Sequence, residues 1–345
     1  MLGLDWRALK IAWTIFLFAL TIAILYAIRS ALITFTLALF LALLLSPVVA
    51  WVDRFTPAKV PRSVALTLVY VVMIGTVMAI LIPIGYAIGD DARILAKKLP
   101  AAIQENKFAT IEIPSWLEPV RERVGVAFRD RLDEIARDAL PMLGKAAGGL
   151  LTGLGTIVSA VLIPILAFFF IKDGHAIRNS IVHSVNQEQR GLVGAVFTDL
   201  RNVLSQYLRA LFAIATVTFV VFSAFLAMTG APYAVLLGGL AAVLEFVPAV
   251  GPFTAAVAII IVGLFSGYSH WAVLVIFLIV YRIALDYGLQ PALMSSGVQL
   301  HPLLVVFGAL AGGEIAGIPG IFFAIPIIAA LRVIVLRLAR HTRAA

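Results

Sequence analysis

The sequence predicts an all-α integral membrane protein: about six full transmembrane helices and two broken re-entrant helical hairpins, eight hydrophobic segments in all, with amphipathic helical inserts. Three observations predict it. The chain is 62% hydrophobic and only 13% charged, with a mean hydropathy of +1.07, whereas about a quarter of a soluble domain is charged. Its apolar residues fall in runs that reach or exceed the ~20 residues one helical crossing needs. Two C-terminal runs, residues 233–265 and 303–336, are far longer, and each is interrupted by Gly and Pro beside a lone glutamate.

Taken in order, the first helix is expected over residues 8–28. A cleavable signal has a shorter core and a small-residue cleavage site, so this run and the next read as an uncleaved transmembrane hairpin. The second helix covers 31–52 and is stopped by Asp53 and Arg54. The third covers 64–88, with Pro61 just ahead of it. Residues 89–149 hold ten basic and ten acidic residues and form an extramembrane insert. Within it Val124, Phe128, Leu132, Ile135 and Ala139 recur at three- and four-residue spacing, the mark of an amphipathic helix. A fourth helix covers 150–171. It is followed by a connector, 172–206, with a second amphipathic pattern from Ile177 to Tyr207, lying along the membrane or against neighbours. The fifth helix covers 207–228 and the seventh segment 271–289. The chain thus divides into N-terminal transmembrane helices (1–88), the insert (89–149), the fourth helix with its connector (150–206), and a C-terminal transport region (207–345).

The two long runs are the informative ones. A 33-residue unbroken helix would be ~50 Å long, against a ~30 Å hydrocarbon core. Backbone freed by a break cannot face lipid and survives only inside protein or along a wet cavity. Two re-entrant hairpins of opposite orientation follow, and paired broken segments are the sequence pointer to a secondary transporter's binding site. Pro248, Gly251 and Pro252 build the first turn; Gly312, Gly313, Pro319 and Gly320 build the second. Gly238 and Gly239 sit in helix, where close packing is their expected role.

The net charge of +8 raises a nucleic-acid reading, but the positives lie at helix ends, in the 53–63 loop and in the C-terminal run Arg332, Arg337, Arg340, Arg343. The positive-inside rule explains that placement. It puts both termini in the cytoplasm, with Lys59 and Arg340 inside and Glu118 outside. No nucleic-acid partner is expected. With no cysteine, disulfides and thiolate chemistry are excluded. The five histidines show no ligand spacing, so neither metal nor cofactor is expected, and His301 before Pro302 reads as a hydrogen-bonded helix cap. Metalloprotease, phosphate-loop and nucleophile-elbow motifs are absent, which argues against an enzyme and leaves transport to run on gradients.

Four ionisable residues fall at membrane depth: Glu245, Arg282, Asp286 and Glu314. Each costs ~2.5–3.5 kcal/mol at a helix centre on insertion scales, so each needs a partner or water. Arg282 and Asp286, four apart, share a helix face. They serve either as a self-neutralising pair or as part of a pathway. Glu245 and Glu314 sit at the breaks, where a carboxylate completes a cation site, exchanges a proton, or caps backbone N–H groups. Glu314, between Gly313 and Ile315, is the stronger candidate for contact with the transported species.

At this point a family pattern is visible. Phe246-Val247-Pro248-Ala249-Val250-Gly251-Pro252 resembles the apolar-Ile-Pro-x-x-Gly-Pro motif of the AI-2E (autoinducer-2 exporter-like, formerly PerM) transporters. Gln290-Pro291 with the Met-Ser-Ser-Gly that follows, Leu300-His301-Pro302-Leu303-Leu304, Ala311-Gly312-Gly313, Gly317-Ile318-Pro319-Gly320 and Ile325-Pro326 are similar to its C-terminal signature. Phe168-Phe169-Phe170-Ile171-Lys172-Asp173-Gly174 resembles the end of its fourth helix, and residues 201–209 the start of its fifth. One residue departs from the pattern: Glu245 stands where many members carry Asn or another neutral residue.

The breaks and the charges at membrane depth mark a substrate or ion pathway through Glu245, Pro248, Gly251, Pro252, Arg282, Asp286, Gln290, Gly312, Gly313 and Glu314. The resemblance implies a homo-oligomer, a pentamer with an elevator-like moving unit. Three functions are carried forward. The first is secondary-active or facilitative export of a small polar solute such as the quorum-sensing furanone autoinducer-2. The second is sodium- or lithium-proton antiport. The third is a non-transporting oligomeric membrane scaffold. The expected partners are membrane lipids, the small solute or monovalent cation, and other copies of the chain.

Overall fold

The computed structural model describes residues 6–53, 62–104, 154–248, 250–294 and 301–344. Lys59, Glu118, the amphipathic pattern of 124–139, Ala249 and the Ser295-Ser296-Gly297 part of the motif lie outside them. The described residues form helices and their connections: α1 (Trp6–Ala27), α2 (Arg29–Asp53), α3 (Arg62–Gln104), α4 (Leu154–His183), α5 (Gln187–Met228), α6 (Ala234–Leu244), α7 (Val250–Phe265), α8 (Trp271–Ala284), a π-helical stretch (Leu285–Leu289), α9 (Gln290–Met294) and α10 (Pro302–Ala344). Among them six spans are long and apolar enough to cross a bilayer: Leu9–Ala27, Arg29–Trp51, Leu66–Leu95, Gln187–Met228, Trp271–Leu293 and Pro319–Arg340.

Two boundaries differ from expectation. The third helix does not end at 88 but runs on to Gln104, because Asp90, Asp91 and Arg93 interrupt the hydrophobic run without interrupting helical backbone. The connector 172–206 is likewise no separate element: its first part extends α4 to His183 and its second part opens α5. The divisions at 88 and 206 both fall inside continuous helices. Hydropathy marks where a helix leaves an apolar medium, and a helix continues for as long as its backbone bonds do.

The centre of the molecule is α5, at ~1.5 Å per residue the longest described helix after α3 and α10. Its second half packs Phe222 and Leu226 against α6, α7 and α8, in a core that includes Leu237, Ile259 and Leu274. Its middle packs Tyr207, Leu208 and Leu211 against Phe40 of α2 and Phe323 of α10. Its first half is tied to the far end of α10 by Arg337, whose Nε donates to Asp199 Oδ2 at 2.5 Å. A third core joins α2, α3 and α4 through Ala42, Leu45, Tyr70 and Ala167, with the Tyr70 hydroxyl donating to the Pro164 carbonyl at 2.6 Å. By contrast α1 packs on α2 and exposes Trp13, Ile15 and Phe18, as a helix surrounded by lipid does.

Both long runs fold back on themselves. In the second, helical backbone fails at Ala316 (φ −140°, ψ 16°) and Gly317 (φ 62°, ψ −141°). The arms then meet: a Cβ on Gly308 would lie 2.3 Å from Ile328 Cδ1, and one on Gly312 would lie 2.3 Å from the Gly320 carbonyl oxygen. In a straight helix residues 308 and 328 would be ~30 Å apart. The return arm Pro319–Arg340 is long enough to cross the bilayer by itself.

Candidate substrate and ion pathway

The first break is chemically forced. Pro248 has no N–H and its ring excludes the carbonyl four residues earlier. That carbonyl, of Leu244, instead accepts from the Val247 N–H at 2.9 Å, while the Pro248 carbonyl accepts from the Val250 N–H at 2.7 Å. The chain turns so tightly that a Cβ on Gly251 would fall 1.8 Å from the Leu244 carbonyl oxygen. Only glycine fits there. Pro252 lies in the first turn of α7, where its missing N–H is not needed.

Glu245 sits at the carbonyl end of α6, its own N–H bonded to the Ala241 carbonyl at 3.1 Å. Its side chain is 10% exposed and faces Arg282 of α8, Oε1 to Nη1 at 3.8 Å. Arg282 grips Asp286 with a fork: Nε donates to Oδ2 at 2.7 Å, and Nη2 lies 2.5 Å from Oδ1. Asp286 belongs to the π-helical stretch Leu285–Leu289, a local widening of the helix common at functional sites. Gln290 follows, its N–H closing the wide turn on the Leu285 carbonyl. The structure therefore brings Glu245, Arg282 and Asp286 together at the first break, two carboxylates around one guanidinium.

Glu314 does not join them. It is exposed on the first arm of the second hairpin, with no hydrogen bond or ion partner among the described residues. Gly312 and Gly313 act through packing, the former against Gly320 and the latter against Ile321, whose Cγ1 would be 3.3 Å from an added Cβ. The breaks themselves do meet. Phe246, next to Glu245, packs on Phe322 of the return arm with ring centroids 5.5 Å apart, and on Phe212 of α5 at 5.3 Å.

Some contributors were not legible in the sequence. Tyr281 and Thr218 share a 2.7 Å hydrogen bond between α8 and α5, one residue before Arg282. Adjacency to Arg282 was the available signal for Tyr281, and Thr218 offered none. Asp91 of α3 accepts a hydrogen bond from the Leu236 backbone N–H. It caps α6 from a distant helix, where Tyr233, at φ 58°, supplies no side-chain cap of its own. Gly238 and Gly239 pack as expected: added Cβ atoms would lie 2.9 Å from the Ser223 N and 2.8 Å from Ile88 Cδ1. His301 caps α10, its Nδ1 accepting from the Leu303 N–H at 3.3 Å. Among the described residues no three metal-ligating side chains converge.

The family described as AI-2E family transporter matches residues 15–340. The chain is 24% identical over 329 residues to YrrI of Bacillus subtilis, covering 91% of this chain and 88% of that one. It is 24% identical over 319 residues to the AI-2 transport protein TqsA of Escherichia coli K12, with shares of 91% and 88%. To PerM of the same organism it is 27% identical over 261 residues, with shares of 69% and 72%.

Proposed function

This chain belongs to the AI-2E transporter family and is a multi-pass membrane transporter; on that footing we propose that it exports a small polar solute, of the autoinducer-2 type, by alternating access. Export is secondary-active or facilitative and is carried by the region 207–345. The protein works in the bacterial inner membrane with both termini in the cytoplasm, as a homo-oligomer for which the family resemblance suggests a pentamer. The observation that carries the reading is the gathering of Glu245, Arg282 and Asp286 beside the first break, where Phe246 meets the second hairpin. Charges are retained at membrane depth where they serve a pathway, and broken helices there line cavities.

A second reading, sodium- or lithium-proton antiport, is favoured by one feature of the same cluster. Two carboxylates share one guanidinium, so the ionised cluster has room for one proton or one monovalent cation. Purified protein in proteoliposomes, with pH and sodium gradients imposed separately, tests both. Export predicts gradient-dependent movement of autoinducer-2 with no obligatory sodium-proton exchange. Antiport predicts sodium-dependent proton movement with no organic solute present. Absence of both fluxes leaves the scaffold.

A further inference from the structure

The guanidinium of Arg282 has one donor nitrogen to spare. Asp286 occupies Nε and Nη2, but Nη1, itself shielded from solvent, makes no hydrogen bond. The acceptor it faces is Glu245 Oε1 at 3.8 Å, too long for a hydrogen bond. The Glu245 carboxylate, nine-tenths buried, receives none among the described residues. A buried donor without a partner thus faces a strong acceptor just beyond hydrogen-bond reach, an arrangement that is costly for the donor unless something enters between them.

An oxygen carrying one hydrogen matches the pair: it accepts from Nη1 and donates to Oε1. Bonded to both at ~2.8 Å with a tetrahedral angle at the oxygen, it holds them ~4.6 Å apart and so requires the two to part by only about 0.8 Å. A carboxylate or phosphate would satisfy Nη1 alone and would meet two carboxylates. An ammonium would satisfy Oε1 alone and would meet the guanidinium. The charge count points the same way. With both carboxyls ionised the cluster carries −1, with one protonated it is neutral, and it turns positive only when both are protonated. We propose that Arg282 Nη1 and Glu245 recognise a hydroxyl of the transported solute, so that the pathway takes neutral polyhydroxylated solutes and turns anions away. The inference rests on the reading that this cluster lies on the transport pathway.

The test uses full-length protein in proteoliposomes and three four-carbon probes: erythritol, its carboxylate erythronate, and 1,2,4-butanetriol, which lacks one hydroxyl. Erythritol flux through the wild type should exceed butanetriol flux at least roughly tenfold, the worth of one charge-assisted hydrogen bond, and should exceed the flux of erythronate, whose charge meets the two carboxylates. Arg282→Lys keeps the charge but loses the fork, and should abolish the preference for erythritol over butanetriol. Glu245→Gln removes the negative charge and should raise erythronate flux relative to erythritol. Equal fluxes of erythritol and erythronate through the wild type overturn the proposal and need no variant to fold. So does discrimination that both variants leave unchanged, which would mean that water alone fills the gap. If the wild type moves none of the three probes, hydroxyl matching fails, while the transporter reading stands or falls separately on the imposed-gradient fluxes.

Discussion

The two broken segments look alike in sequence, each a long apolar run with Gly, Pro and one glutamate at its middle, and they are built differently. In the first, one helix ends at Leu244 and the next begins at Val250, and its glutamate is drawn inward to an arginine on another helix. The second loses only Ala316 and Gly317, and its glutamate stays exposed on the arm. Where the first turn is made by a proline that displaces a carbonyl, the second is made by a glycine in a backbone region closed to other residues. A short break lets two arms press together through glycines. A longer one leaves room for side chains to converge. The first hairpin therefore holds the charged cluster, and the second supplies a close-packed surface against which the first rests.

The largest expected effects test the close packing. In Gly320→Val the new Cβ would start 1.8 Å from the Gly312 carbonyl oxygen, a clash with backbone that no rotamer relieves. Gly251→Val meets the Leu244 carbonyl at the same distance. Overpacking costs about 1–3 kcal/mol or more where backbone must move, so both variants should lose the monodisperse peak in detergent size-exclusion chromatography. Gly85→Ala, with nothing within 4 Å of the added Cβ, should gain up to ~1 kcal/mol of helix propensity. If Gly320→Val elutes like the wild type, the arms are not in contact and the comparison of the two hairpins collapses.

The charged cluster comes next. Neutralising one member strands a charge, whereas neutralising a pair removes the need for a partner. Arg282→Gln should therefore cost more thermal stability than the double variant Arg282→Gln/Asp286→Asn. Arg282 is more than a third exposed, so the single change should cost about 1–3 kcal/mol rather than the 3–5 of a fully buried pair. A double variant no more stable than the worse single variant would show that the two residues act independently.

Most of the fold was legible because a membrane makes hydropathy decisive. The apolar runs, the two breaks and the close-packing glycines follow from backbone chemistry that any apolar medium enforces. Helix ends beyond the apolar runs were not legible, since Asp90 and Lys97 interrupt the apolar run without ending the helix. The site was half legible. Arg282 and Asp286 pair by local spacing, which sequence displays. Their approach to Glu245, the cap from Asp91 to α6 and the Asp199–Arg337 tie depend on which helices are neighbours, and periodicity within one helix carries no information about that. Glu314 drew attention through its position in the chain, but position at a break does not fix the direction of a side chain.

A paired substitution sharpens the contrast between the glutamates. Glu245→Gln removes a charge that faces Arg282 and should shift the melting temperature downward by several degrees. Glu314→Gln removes a charge with no partner among the described residues, and should leave melting within about 0.5 kcal/mol of wild type. Its flux is the informative reading. A fall in flux at unchanged stability and oligomeric state places Glu314 on the solute's route. A fall in assembly makes its partner another copy of the chain. Wild-type behaviour in both removes it from the site.

The smallest effect concerns how the first hairpin's cluster is held against α5. The Tyr281 and Thr218 hydroxyls bond at 2.7 Å, and Thr218 is 1% exposed. Tyr281→Phe keeps the ring packed edge-on against Phe222 and removes only the hydroxyl. Thr218 can then turn back to a carbonyl of its own helix, so the loss should be about 1 kcal/mol. Thr218→Val/Tyr281→Phe, with neither partner left wanting, should sit closer to wild type than Tyr281→Phe alone. Tyr281 precedes Arg282 on α8, so we expect the bond also to set the helix rotation that aims the guanidinium at Glu245. Tyr281→Phe should accordingly weaken discrimination between neutral and anionic probes more than it lowers the melting temperature. If discrimination is untouched while stability falls, the Thr218–Tyr281 bond joins two helices and has no part in positioning Arg282.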